Sequence, residues 1–316
     1  MGRVGSNARQ KEFVKEYSQL CHRNNRHQVW QDFVYMVAAA ISNAVDKTYA
    51  NQREEQYMSI IKKYTREELD VFPKLFALIV AGMEEHPDQD FLGELYMQLE
   101  MGNSHAGQFF TPYSVCKLMA EIIVDPEKLK RDLDRQGYIA VNDCACGAGA
   151  TLVAAAMVLK EAKTLKAINF NYQQQALFIG QDIDYTVGLM CYIQLSLLGC
   201  AGFVRIGDSL SNPLTGHVLF GERSPNTWYT PMYFSDVWAT RRAIEKAKAI
   251  FEHFTGPSKP LAAEPDSTMD SSAEPQEALL QQPTDPEPIV EATITFTEST
   301  KKKNAGQLMF DFSQLA

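Results

Sequence analysis

The chain has 316 residues, of which 45% are hydrophobic and 22% charged, the balance of an ordinary soluble globular protein with room for one large or two modest domains. Its longest wholly apolar run, Phe33 to Ile41, spans nine residues, against about 20 for a helix that crosses a bilayer. The net charge of −9 does not exclude a nucleic-acid partner, because nine acidic residues and one basic residue lie between Gly256 and Thr300, and the first 255 residues carry only −3. A nearly neutral body can still hold a basic groove.

The polar, basic start MGRVGSNARQKEF is unlike a secretory leader. Gly2 with Ser6 formally fits an N-myristoylation pattern, one that recurs often by chance. Six cysteines spread through apolar segments point to a reducing cytoplasm rather than a disulfide framework. Cys144 and Cys146 lack the second close pair that a four-ligand metal site needs, so no metal is expected.

From about Lys11 to Met101 the apolar residues recur at helical spacing: Phe13, Tyr17 and Leu20, then Trp30, Phe33, Val34 and Val37, then Leu69, Phe72, Leu75, Phe76 and Ile79. Residues 1–103 therefore read as an all-helical region. Beyond Tyr113, short apolar runs alternate with longer amphipathic ones. Tyr138–Val141 reads as a strand, Thr151 to about Leu165 as a helix, Ala176–Ile179 as a strand, Tyr185–Leu198 as a helix and Phe203–Ile206 as a strand. That alternation predicts an α/β domain over residues 104–255 with a parallel sheet. A last helix, about Val237 to Phe254, carries Arg241, Arg242, Lys246 and Lys248 and reads as a solvated face. Residues Gly256 to Pro288 hold seven of the fourteen prolines among acidic, serine and glutamine residues. Such a stretch buries too little apolar surface to offset its ordering entropy, so residues 256–316 read as a disordered acidic linker followed by a short apolar motif.

The chemistry concentrates where strands end. Val141-Asn142-Asp143 runs into Cys144-Ala145-Cys146-Gly147-Ala148-Gly149, a strand, a glycine turn and a helix start. Ligands of open α/β sheets bind at the carboxyl ends of strands, and glycines there admit a close backbone approach. The next two strands end in Gly180-Gln181-Asp182 and Gly207-Asp208, again acidic. Three aspartates at successive strand ends suit an adenosine-bearing ligand without phosphate, since Asp143 would repel a pyrophosphate at the first helix start. The full dinucleotide glycine spacing is absent, and Asp182 follows Gly147 by 35 residues rather than about 20. A nicotinamide oxidoreductase is thereby disfavoured, S-adenosylmethionine is the phosphate-free candidate, and strand-end capping is the bland alternative for all three aspartates.

Taken together, GQFFTP, DCACGAGATL, GQDID and GDSL resemble the adenine-specific (N-6) DNA methyltransferases, and in particular the modification subunit of type I restriction–modification systems. The resemblance is close over residues 104–210. It implies a Rossmann-like S-adenosylmethionine-dependent methyltransferase sheet, a bacterial cytoplasmic enzyme, double-stranded DNA as substrate and methyl transfer to the exocyclic amine of adenine. It also assigns roles. Gln108, Phe109, Phe110, Thr111, Pro112 and Tyr113 would form a loop over the cofactor's methionine end and sulfonium, with Thr111 capping the helix that Pro112 begins. Asp143, Gly147, Ala148 and Gly149 would form the cofactor turn, Asp182 would bind ribose hydroxyls, and Asp208 would face the cofactor's adenine amine.

One family feature is missing. Family members end a fourth strand in Asn-Pro-Pro-Tyr or Asn-Pro-Pro-Phe, whose amide oxygen and aromatic ring hold a flipped-out base. No Asn-Pro-Pro occurs here. Asn212-Pro213 follows Asp208 too closely, whereas Asn226 and Tyr229 stand at a workable spacing and are the expected catalytic pair. Two functional classes therefore stay open, an active DNA adenine methyltransferase and a catalytically inactive cofactor- or DNA-binding accessory subunit; RNA or protein as the substrate also stays open. With no target-recognition domain after Phe254, specificity would come from a separate subunit or from the N-terminal helices. The segment Gln307 to Phe312 loosely resembles peptides that dock on the replication sliding clamp.

Overall fold

The computed structural model describes residues 8–101, 110–162, 168–255 and 307–310. Its first compact unit comprises residues 1–245 and 304–316. Six helices open it: α1 (Ala8–Leu20), α2 (Arg26–Val45), α3 (Ala50–Ile61), α4 (Arg66–Leu69), α5 (Val71–Glu85) and α6 (Phe91–Gln98). Their starts are chemically marked. The Asn25 side chain accepts from the His27 and Gln28 amides, and Thr65 and Glu68 form a reciprocal capping box. The spaced apolar residues converge as expected, with Trp30 ringed by Phe13, Tyr17, Phe33 and Tyr96 at centroid distances of 5.9 to 6.2 Å.

The α/β part follows with α7 (Tyr113–Ile123), α8 (Pro126–Gln136), β1 (Ile139–Asp143), α9 (Ala150–Glu161), α10 (Tyr172–Gln175), β2 (Ala176–Asp182), α11 (Tyr185–Leu197), β3 (Ala201–Ile206), β4 (Thr227–Tyr229) and α12 (Asp236–Thr255). A fifth strand, β5 (Gln307–Phe310), comes from the C-terminal segment. The sheet order is β4-β3-β2-β1-β5. β1, β2 and β3 run parallel, β5 pairs parallel with the free side of β1, and β4 is antiparallel on β3.

Both faces of the sheet are covered, which is why its strands read as unbroken apolar runs. Val141 and Phe178 face α9 and α11, and the same continuous core extends through the N-terminal helices to Phe13. The helical region and the α/β region thus share one core within one unit. On the second face Leu177, Ile179 and Phe203 pack against Leu219, Tyr229, Tyr233 and Trp238.

Two expectations need correction. Arg241 and Arg242 are not a solvated face. The Arg241 guanidinium lies 4.6 Å from the Trp238 ring and donates to the Gly137 carbonyl at 2.8 Å, and that of Arg242 lies 4.0 Å from Tyr233. Thr111 does not cap α7; Pro112 occupies the cap position, its carbonyl accepting from the Val115 amide at 2.9 Å. The expected disordered linker over residues 256–288 lies outside the described residues.

The second compact unit, residues 246–303, is described over 246–255, where Ile250, Phe251 and Phe254 are exposed. Among the described residues no helix is long and apolar enough to cross a membrane.

Candidate cofactor site

The parallel register pairs Asp143 with Gly180 and Asp182 with Ile206, so the three strand-end aspartates come to one carboxyl edge. They do different things there. Asp143 is 1% exposed. Its carboxylate accepts from the Ala145 amide at 3.0 Å and from the Thr151 hydroxyl, tying the end of β1 to the first turn of α9. Burial pushes its pKa up to about 6, against the lowering effect of those hydrogen bonds. Asp143 therefore shapes the turn from beneath.

Asp182 is half-buried at the crevice. One oxygen accepts from the Gly147 amide at 2.8 Å and the other from the Asp184 amide at 2.9 Å. Burial raises its pKa while the backbone hydrogen bonds oppose that rise. Each carboxylate oxygen keeps acceptor capacity for a further donor, which is what two vicinal hydroxyls require. Asp208 is more open. It accepts from the Leu210 amide at 2.9 Å and the Ser211 hydroxyl at 2.8 Å, and these bonds lower its pKa. Its loop is tied to the sheet by Gln181, whose amide donates to the Gly207 and Asn212 carbonyls at 3.2 and 3.0 Å.

The turn has a backbone that side-chain-bearing residues rarely adopt. Gly147 and Gly149 have φ of 54° and 98°. A Cβ on Gly149 would also lie 2.8 Å from Cys191 Sγ on α11, so glycine lets the helix start press against α11. Gly147 faces the other way: a Cβ there would meet the Phe110 ring at 3.6 Å. Phe110 is in turn stacked on Tyr96, with centroids 5.3 Å apart. Of the expected aromatic loop, Phe110 thus reaches the cofactor turn. Gln108 and Phe109 lie outside the described residues. Thr111 and Pro112 are exposed at the start of α7. The Tyr113 hydroxyl is committed to Asp88 at 2.7 Å, and that carboxylate also pairs with Lys117.

The expected catalytic pair is not assembled. Asn226 is exposed just before β4, with its carbonyl accepting from the Ile206 amide at 2.8 Å. Tyr229 pairs with Phe203 further down the antiparallel strand. It is 8% exposed in the second-face core, its ring 4.7 Å from Tyr233 and its hydroxyl donating to the Phe220 and Glu222 carbonyls, each at 3.3 Å. β4 is separated from β1 by two strands, so Tyr229 does not flank the crevice. The cause is the antiparallel direction of β4, which carries residues 227–229 away from the carboxyl edge.

Pattern reading passed over Thr151, which ties Asp143 to α9, and Gln194, whose amide donates to the Ala148 carbonyl of the turn. A polar residue inside an apolar helix is a usable signal for Gln194 in LMCYIQLSLL.

The chain matches the model of a family described as N-6 DNA Methylase over residues 87–259. That span is more than half of the sequence, and the chain belongs to this family. Among solved structures it is similar to a Listeria monocytogenes protein described as a class I S-adenosylmethionine-dependent methyltransferase, with 13% identity over 77% of this chain and 80% of that one and a TM-score of 0.33. No curated protein matches the chain.

A methyltransferase of this family takes its methyl group from S-adenosylmethionine. The residues at the edge fit that molecule. An acceptor-only carboxylate, Asp182, is available to ribose hydroxyls; the glycine turn admits close approach; Phe110 offers an aromatic face to a cation.

Proposed function

We propose that this methyltransferase acts on the exocyclic amine of adenine in double-stranded DNA, as a restriction–modification type modification protein whose target specificity comes from a separate subunit. The family match supports the DNA and adenine assignments. The observation that carries the reading is the constellation of Asp182, the Gly147–Gly149 turn and Phe110 at one carboxyl edge. Asp182 would hold the ribose, the turn would receive the adenosyl group, and Phe110 would screen the reactive end from water. When bound, S-adenosylmethionine supplies an electrophilic methyl group. The amine of adenine is a weak nucleophile, so hydrogen-bond acceptors have to orient it.

A second reading, a cofactor-binding accessory subunit without catalysis of its own, is favoured by one observation: Tyr229 is locked in the second-face core and does not join Asn226. Under the first reading the base-holding groups come from Asn226 acting without Tyr229, or from a partner subunit. The segment from Gln307 to Phe312 remains a candidate sliding-clamp peptide. Gln307–Phe310 would have to leave β1 to dock there.

Transfer of labelled methyl from S-adenosylmethionine to duplex DNA, with and without added specificity subunit, tests both. Label on adenine that falls at least tenfold in Asn226→Ala supports the first reading with Asn226 in place. Equal labelling by both proteins removes Asn226. Saturable cofactor binding with no transfer under any condition favours the accessory subunit.

A further inference from the structure

The cofactor turn is held from a second side, and that support comes from the N-terminal helices. Gln194 lies inside α11 with no solvent exposure. Both donors and one acceptor position of its amide are committed. Nε2 donates to Asp90 Oδ1 at 2.8 Å and to the Ala148 carbonyl at 2.8 Å, while Oε1 accepts from the Leu92 amide at 3.2 Å. Asp90, 3% exposed, also accepts at Oδ1 from the Gly93 amide at 3.0 Å. Leu92 and Gly93 are first-turn residues of α6, whose amides have no partner within the helix. One buried amide therefore caps α6, binds its capping carboxylate and holds the middle carbonyl of the Gly147–Gly149 turn.

Stability alone does not account for this choice. Asp90 has no basic partner among its hydrogen bonds, and Glu94 lies close enough to disfavour its charge. A buried carboxylate in such surroundings is costly, and apolar residues of similar shape are often as stable or more so. What apolar residues could not do is fix the Ala148 carbonyl. Asp182 fixes the Gly147 amide from the opposite side of the turn. With both held, the Cys146–Gly147 and Ala148–Gly149 peptide groups have one orientation.

We propose that Asp90 and Gln194 are positioning residues for S-adenosylmethionine, acting through the Ala148 carbonyl, so that the N-terminal helical region is part of the cofactor site. The inference rests on the turn being where the cofactor binds. Binding of S-adenosylmethionine to the full-length protein, measured by calorimetry, tests it with four variants: Asp90→Ala, Gln194→Met, Asp90→Asn and Asp182→Ala. Loss of one buried hydrogen-bond link predicts a rise in Kd of about 10-fold or more for Asp90→Ala and Gln194→Met. Asp90→Asn keeps the Oδ1 acceptor for both Gly93 and Gln194 and is expected within about threefold of wild type. A residue with only a structural role would lower Tm and the folded fraction while leaving the Kd of folded protein unchanged.

Wild-type Kd in Asp90→Ala and Gln194→Met, alongside weakened binding in Asp182→Ala, overturns the inference and spares the site. Wild-type Kd in all four variants removes the turn as the cofactor site and the inference with it. If Asp90→Ala fails to fold, Gln194→Met against Asp90→Asn decides: equal weakening of both, or of neither, overturns the proposal.

Discussion

The two flanks of the sheet are built for opposite purposes. At the carboxyl edge of β1 and β2, polar groups are invested in shaping a turn: Asp143 below it, Asp182 beside it and Gln194 behind it. Across β3 and β4, the aromatic residues Phe203, Tyr229, Tyr233 and Trp238 close the second face, with the Tyr229 and Tyr233 hydroxyls turned to loop carbonyls. The first flank leaves acceptor capacity for a ligand, and the second uses its capacity internally. Tyr229, expected to work beside Asn226, serves packing there. The carboxyl edge of β1 and β2 is therefore built to receive a ligand, and the β3–β4 flank is built as core.

The contrast can be broken by substitution. The largest effect is expected at the turn itself. Gly149→Val places a branched side chain at φ 98° against Cys191 and should cost about 3 kcal/mol or more of folding stability, read from the urea midpoint, and abolish cofactor binding. Next, Tyr229→Ala opens the second-face core and should cost about 3 kcal/mol, while the Kd for S-adenosylmethionine of the folded protein stays within twofold. Asp182→Ala should do the reverse, weakening the cofactor about 10- to 100-fold with a much smaller change in urea midpoint. Equal effects of both variants on Kd would erase the distinction between the flanks.

A pH series sharpens the same comparison. Burial raises the Asp90 pKa from 3.8 to about 6. Between those values the folded protein holds the proton more tightly than the unfolded chain, so this carboxyl's contribution to stability declines as pH rises from about 4 to 6 and is level above. Asp90→Asn removes that decline. The stability difference between variant and wild type should grow across this window, in favour of the variant, to at most about 3 kcal/mol, and then remain constant to pH 8. A difference that is flat from pH 4 to 8 would show that Asp90 does not titrate there. The smallest effect is expected for Asn226→Ala, an exposed residue that engages β3 through its carbonyl: under about 0.5 kcal/mol in stability and no change in cofactor Kd.

Much of the architecture follows from local pattern. Helical spacing at Phe13, Tyr17 and Leu20, apolar runs at β1 and β2, and glycines after Asp143 are signals of a few adjacent residues, and each maps onto a matching element. The strand-end position of Asp143, Asp182 and Asp208 is legible for the same reason. Their division of labour is not. Asp143 turns inward and Asp182 remains at the crevice because of which backbone amides and hydroxyls lie nearest in space, and one of those amides is 35 residues away in the chain. Nor can spacing reveal that β4 runs antiparallel and draws Tyr229 away from the crevice, or that β5 lies beside β1. The link from Gln194 to Asp90 spans 104 residues. Periodicity and turn chemistry act between neighbours, whereas a buried hydrogen bond is settled only when the chain has folded and each polar group must find a partner away from water.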